Sequence, residues 1–269
     1  MTGNQRWRAH RDSYRPAGEV IDPSKFGVDL LSELQAKEFV QRHHYSGSYP
    51  AAVCRVGLFR GRDLVGCAVF STPMQAKAIT AWTGTDAGVE LGRFVLLDDV
   101  EANGESWFIA RCFKLLRAAK PHIKTVLSYS DPVRRANCDG TIVLPGHVGT
   151  IYQATNGRYL GRSSARSLIL KPDGQTINGR ALSKIRREER GAAYAYEQLL
   201  AAGAPSRRPF ESGADYVTRA LEQGPFVKMK HPGNHAYAWS IKKRFKLTKP
   251  ALQYPKHIEK EQSWQDTAN

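Results

Sequence analysis

The run Leu64–Ser71 is apolar on both of its alternating faces, with Val65, Cys67 and Val69 on one and Leu64, Ala68 and Phe70 on the other. Such a strand is stable only inside a sheet covered on both sides. A strand over Val53–Phe59 precedes it, across an Arg60–Asp63 loop of hairpin length. A third strand is predicted over Val89–Leu97, where Glu90, Gly92 and Phe94 share one face and Leu91, Arg93 and Val95 the other. Each face thus carries one charge that needs a partner or a ligand. Helices complete the layers. One starts at Ser32, where Ser32 and Gln35 have capping-box spacing, buries Ala36, Phe39 and Val40, and ends near His43–Gly47. Another runs over Glu105–Lys120 with Phe108, Cys112, Leu115, Leu116 and Ala119 inward, and Pro121 closes it. The order helix, hairpin, strand, helix, strand, helix, strand predicts an α/β fold, a mixed central sheet flanked by helices on both faces.

Polar chemistry concentrates in Lys124–Ala154. An apolar strand, Thr125–Leu127, runs into Ser128-Tyr129-Ser130-Asp131 and is stopped by Pro132, which has no donor for a ladder. Gly146-His147-Val148-Gly149-Thr150 then leads into a short helix with Tyr152 and Gln153. So many polar or aromatic side chains at one strand end and one helix start are more than a βα unit needs, and ligands bind in such crevices.

Net charge is +15, unevenly spread: residues 180–250 hold 15 Lys/Arg against 6 Asp/Glu, and residues 1–16 hold 4 against 1. A near-balanced body with basic ends fits a polyanionic partner, while a solvated basic face is the plainer alternative. No apolar run approaches a membrane span and no secretory leader is evident. Three of the four cysteines (Cys54, Cys67, Cys112) lie in apolar elements and none is in a CxxC pair, which predicts reduced thiols in a cytoplasm. The expected organisation is a basic N-terminal arm over 1–28, a catalytic domain over 29–175, a basic helical extension over 176–249 and a disordered tail over 250–269. The extension is predicted to hold one long helix over Ala181–Ala202 and a short one capped by Ser212.

Five strings occur in order: HHYSGS at His43–Ser48, ELGRFVLLDDV at Glu90–Val100, ESWFIARCFKLL at Glu105–Leu116, SYSDP at Ser128–Pro132 and GHVGTIYQATN at Gly146–Asn156. Together they resemble the Mom family of bacteriophage DNA-modifying proteins, over about residues 30–170 and more loosely through Trp239. The resemblance implies a GNAT-like acyltransferase fold. It also implies conversion of the N6 amine of adenine in duplex DNA to a carbamoylmethyl derivative, protecting phage DNA from restriction in the host cytoplasm.

Under that resemblance His44, Tyr45, Asp131 and Tyr152 are expected to carry the chemical step and Ser128 to position donor or base. His44 reads equally as a helix C-cap, Asp131 as a turn start and Tyr152 as a core tyrosine. Arg93, Phe94, Ser106 and Trp107 are the expected donor-binding residues, with acetyl-CoA the donor. The loop before the Glu105 helix carries Asp98, Asp99 and Glu101 where phosphates favour backbone amides. His44, Asp131 and His147 have the ligand types of a two-His-one-carboxylate iron site, and the resemblance adds iron(II) as a second cofactor. A carbamoylmethyl group joins nitrogen through its CH₂, so ordinary acyl transfer does not suffice. Lys184, Arg186, Arg187, Arg190, Lys230, Lys242, Lys243 and Arg244 are the expected phosphate contacts, with His235, Tyr237 and Trp239 packing against sugar or base. Two other readings stay open: an acyltransferase on a small amine or tRNA, and a non-catalytic DNA-binding protein of the same fold.

Overall fold

A computed structural model describes residues 20–44, 46–75 and 77–256. In chain order the elements are β1 (Phe26–Leu30), α1 (Glu33–His43), β2 (Ala52–Arg60), β3 (Asp63–Ser71), α2 (Ala78–Thr83), β4 (Gly88–Leu96), α3 (Gly104–Ala119) and β5 (Thr125–Ser130). There follow β6 (Arg135–Ala136), β7 (Ile142–Leu144), α4 (Thr150–Ala154), β8 (Arg158–Arg162) and β9 (Arg166–Leu170). The last are α5 (Gly179–Arg186), α6 (Ala192–Ala201), α7 (Gly213–Gln223), β10 (Val227–His231) and β11 (His235–Ser240). They divide into two compact units that alternate along the chain. The first contains the described residues through Pro132, His147–Ser163 and those from Asn234; the second contains Val133–Gly146 and Ser164–Gly233.

The first unit is a seven-stranded sheet in the order β1-β2-β3-β4-β5-β11-β8. As the two apolar faces require, β3 is interior, paired antiparallel to β2 and β4. The β2–β3 hairpin and the Ser32/Gln35 capping box are present as expected. One core cluster includes Val56, Phe70, Val89, Phe108, Leu116 and Val126, and another gathers Ala36, Phe39 and Val40 of α1 with Cys67, Val69 and Val95. Cys54, Cys67 and Cys112 are buried free thiols, and burial pushes Cys67 up to about 12.

Several boundaries differ from expectation. Within the proposed arm, residues 1–19 lie outside the described set, but Ile21 is buried and β1 pairs with β2. Residues 235–240 are not part of a helical extension: β11 lies between β5 and β8. Its sequence His-Ala-Tyr-Ala-Trp-Ser fills an interior strand position, small residues alternating with large ones. Strand β9 pairs with β10 in the second unit, not with the main sheet. The expected tail begins with ordered chain: Leu252 N–H donates to Tyr159 O at 2.9 Å, and the Gln153 side-chain amide donates to Pro255 O at 3.0 Å. Residues 257–269 of that tail lie outside the described set.

The second unit holds α5, α6 and α7 around Leu182, Ile185, Ala195, Leu199, Tyr216 and Val217. The single helix expected over Ala181–Ala202 is two, broken where Glu188 (φ 50°) and Gly191 (φ 85°) are left-handed. The break lets α7 dock. The space where a Gly213 Cβ would stand is 2.0 Å from Ile185 O, so only glycine permits that approach. Ser212 caps α7 as expected, accepting from Asp215 N–H at 3.1 Å.

Candidate functional site

Strands β4 and β5 run parallel but pair over only three positions, ending at Glu90↔Leu127. Beyond them β4 continues beside β3 to Leu96, and β5 continues beside β11 to Ser130. Parallel strands that part before they end open a gap in the sheet. The side chains around this gap come from several short, separated pieces of sequence.

On one side stands the α1 terminus. His44 is buried, and its backbone N–H closes the helix on Val40 O at 2.8 Å. Its Nδ1 accepts the Ser46 backbone N–H at 3.1 Å, which puts the proton of the neutral ring on Nε2. The Ser46 hydroxyl is 2.8 Å from the same Nδ1. Gly47 turns the chain at φ 56°, bringing Ser48 to Arg93. The guanidinium donates to Ser48 O at 2.9 Å through Nε and to Ser48 Oγ at 2.7 Å through Nη2. Thus one of the two strand charges that needed a partner has it. Tyr45 lies outside the described residues.

The second charge is Glu90. Burial pushes its carboxyl above the usual range and Arg93 opposes the shift. Tyr129, two residues past Glu90's strand partner Leu127, is pushed up to about 12, first by burial and then by Glu90, with a hydrogen bond from Trp82 pulling the other way. Glu90, Tyr129 and Trp82 therefore form a polar-aromatic group at the parting. Sequence alternation flagged the charge on Glu90 but not its neighbours, because Trp82 lies on the short helix α2, whose six residues carry too little periodicity to read.

Beyond the end of β5 is a third group. His147 N–H donates to Asp131 O at 2.8 Å. Burial holds the His147 imidazole below its ordinary pKa, and the charge of Asp131 works against that. Gly149, at φ 76°, begins α4; a Cβ there would fall 2.7 Å from Tyr237 and 2.9 Å from Tyr152. Tyr152 is buried, with ring centroids 5.5 Å from Tyr237, 5.6 Å from Trp239 and 6.4 Å from His147. The Tyr237 hydroxyl donates to Val148 O and accepts from Gln153 Nε2 at 3.1 Å.

The structure thus brings Asp131, His147 and Tyr152 into one neighbourhood and places His44 with Ser46, Ser48 and Arg93 in another. Ser128 is fully buried and donates to Leu91 O at 3.1 Å, a bond that ties the strands at their parting rather than facing a ligand. Ser130, also fully buried, has no hydrogen-bond partner for its hydroxyl among the described residues.

Two expectations need correction. His235 and Tyr237 are buried, as is Trp239, because β11 is an interior strand, so none is a surface contact for DNA. His235 Nδ1 instead meets the Tyr159 hydroxyl at 2.9 Å. His44, Asp131 and His147 do not make an iron site: among the described residues no three His, Cys, Asp or Glu are arranged to hold a metal ion. His44 spends Nδ1 on the Ser46 amide, while His147 keeps company with Asp131. Of the expected donor-binding residues, Phe94 and Trp107 are half-buried and pack on the core cluster, Phe94 against Phe108 at 5.6 Å, and Ser106, also half-buried, donates through Oγ to Asn103 O at 3.1 Å. The loop before α3 is acidic. Arg60 donates to the Asp99 carboxylate at 2.9 Å and to Glu101 at 3.1 Å. A diphosphate there would face Asp98, Asp99 and Glu101 with one guanidinium already shared between two of them, so this loop does not fit one.

Of the expected phosphate contacts, Arg186, Arg187, Arg190 and Lys230 are exposed in the second unit and Lys184 is half-buried. Lys243 and Arg244 are exposed in the first unit and Lys242 is half-buried. No helix among the described residues is long and apolar enough to cross a membrane.

A model of the Mom protein family matches residues 25–256. The methylcarbamoylase mom of Escherichia phage Mu is 28% identical over 171 residues, which are 62% of this chain and 66% of that protein. Among solved structures, a Bacillus subtilis acetyltransferase in complex with CoA overlays at a TM-score of 0.32 and 11% identity, covering 80% of this chain and 99% of that one. A tandem GNAT protein from the clavulanic acid biosynthesis pathway overlays at 0.37 and 10%, covering 81% and 99%. Overlays this loose add nothing to the strand pairing described above.

Proposed function

Because the chain belongs to the Mom protein family, we propose that it is a transferase that modifies the N6 amine of adenine in duplex DNA, leaving a carbamoylmethyl group. The match over residues 25–256 carries the reading, since it spans both the β4–β5 parting and the basic second unit. The name of the phage Mu relative, a methylcarbamoylase, supports the group transferred.

The chemistry asks for a proton acceptor. When the amine displaces a leaving group from the CH₂ of an electrophilic carbamoylmethyl donor, the N–C bond forms and the leaving group departs with the electron pair of the broken bond. The nitrogen must shed a proton, which a neutral imidazole accepts. Burial favours the neutral form of His147, and the charge of Asp131 favours the imidazolium that forms. Tyr152, whose ring lies 6.4 Å from that of His147, is the second side chain assigned to the reacting centre in this reading. Arg93, fixed by Ser48, and His44 form a separate polar group beside the end of α1. Acetyl-CoA enters no step, given the acidic loop before α3. Because the paired adenine amine lies inside the duplex stack, the base must leave the stack to react. The exposed arginines of the second unit supply phosphate contacts for the DNA that is opened.

Mass spectrometry of nucleosides from a plasmid co-expressed with the protein tests this reading. A deoxyadenosine heavier by one carbamoylmethyl group is expected. Unmodified deoxyadenosine throughout would overturn it.

A further inference from the structure

The loop between α6 and α7 turns one large apolar side chain into solvent. Phe210 has a relative exposure of 107%, and its backbone is left-handed at φ 59°, a region disfavoured for a bulky L residue. The loop is braced on every side. Arg219 donates to both oxygens of Glu211 at 2.7 Å and to Ser206 O at 2.9 Å. Glu211 also accepts the Arg208 N–H at 2.9 Å. Arg207 donates through Nε to Glu211 O at 2.7 Å, through its N–H to the Tyr196 hydroxyl at 3.1 Å, and through its guanidinium to Glu188. Glu188 belongs to the α5–α6 bend that carries Arg186, Arg187 and Arg190, and these cations, like Arg208, are exposed.

Single exposed apolar residues are ordinary. A ring held out by a braced, left-handed loop among exposed arginines is a different object. An apolar protein partner would have to bury those cations beside the ring, whereas a polyanion neutralises them. We propose that Phe210 is a wedge that enters between base pairs when the second unit lies on duplex DNA. Apolar side chains used in this way unstack a base step and kink the helix, and the counterions released by neighbouring arginines supply affinity. The proposal rests on the DNA reading given above.

The test uses the full chain, a short duplex carrying 2-aminopurine at one step, and the variants Phe210→Ala and Phe210→Trp, compared at one salt concentration. The wild type is expected to raise 2-aminopurine fluorescence on binding. F210A should bind about tenfold more weakly, lose the fluorescence rise and keep the same salt dependence, while F210W keeps the rise. Equal affinity and equal fluorescence for wild type and F210A would overturn the wedge and leave the DNA reading standing. A wild type that does not bind duplex at low salt would overturn both. Self-association by the wild type that F210A abolishes, with the DNA response unchanged, would assign the ring to a second copy of the chain and end the proposal.

Discussion

His147 and Asp131 are coupled in a way that a pH profile can read. Burial lowers the His147 pKa and the Asp131 charge raises it, burial being the larger effect. If His147 accepts the proton, activity must fall as pH drops through that lowered pKa and the ring becomes charged. Asp131→Asn removes the opposing charge, so the acid limb should move to still lower pH while the maximal rate falls. His147→Gln should remove the limb and cost about 10²–10⁴-fold in rate. A D131N limb that moves upward, or an H147Q enzyme that keeps the limb, would show that another group titrates. That Asp131 and His147 lie together was legible in the sequence, because a polar cluster after an apolar strand is hard to explain structurally. His235, Tyr237 and Trp239 were misread for the opposite reason. Lysines flank them on both sides, and that charge drew attention away from the two-residue alternation His-Ala-Tyr-Ala-Trp, which is a strand signal.

At the level of elements, glycines decide how closely the pieces approach. Gly149→Ala places a Cβ against Tyr237 and Tyr152 at a left-handed position and should cost about 1–3 kcal/mol in a denaturant titration. Ser128→Ala removes the buried bond between β5 and Leu91 O and should cost about 1 kcal/mol. Its catalytic effect should be no larger than that loss of strand alignment produces. The acidic loop before α3 invites a charge test. Acetyl-CoA titrated into the chain by calorimetry should bind more tightly to D99N/E101Q than to the wild type, since removing carboxylates relieves repulsion with phosphate. The α1 cap, the β2–β3 hairpin and the α7 cap were readable because each rests on a local pattern. The α5–α6 break was not. Glu188, Glu189 and Arg190 favour helix, and the approach of Gly213 to Ile185 O that accompanies the break comes from a distant stretch of sequence.

For the whole molecule, charge and connectivity matter most. DNA affinity should fall steeply with salt, and the combined change R186A/R187A/R190A should flatten the slope by up to about three, roughly one for each phosphate contact removed. An unchanged slope would move the DNA surface away from the α5–α6 bend. The sheet of the first unit was foreseen in its layering but not in its membership, because β11 is separated from its neighbour β5 by more than a hundred residues and no local pattern announces such a pairing. That separation reaches into how the protein is made. A nascent chain emerging from the ribosome holds β5 and β8 while Ser164–Gly233 of the second unit is being translated, yet their shared neighbour is among the last described strands to arrive. Until Ser240 clears the exit tunnel both edges are unpaired and open to wrong partners. A chain stopped at Gly233 is therefore expected to aggregate on expression, whatever the second unit does by itself.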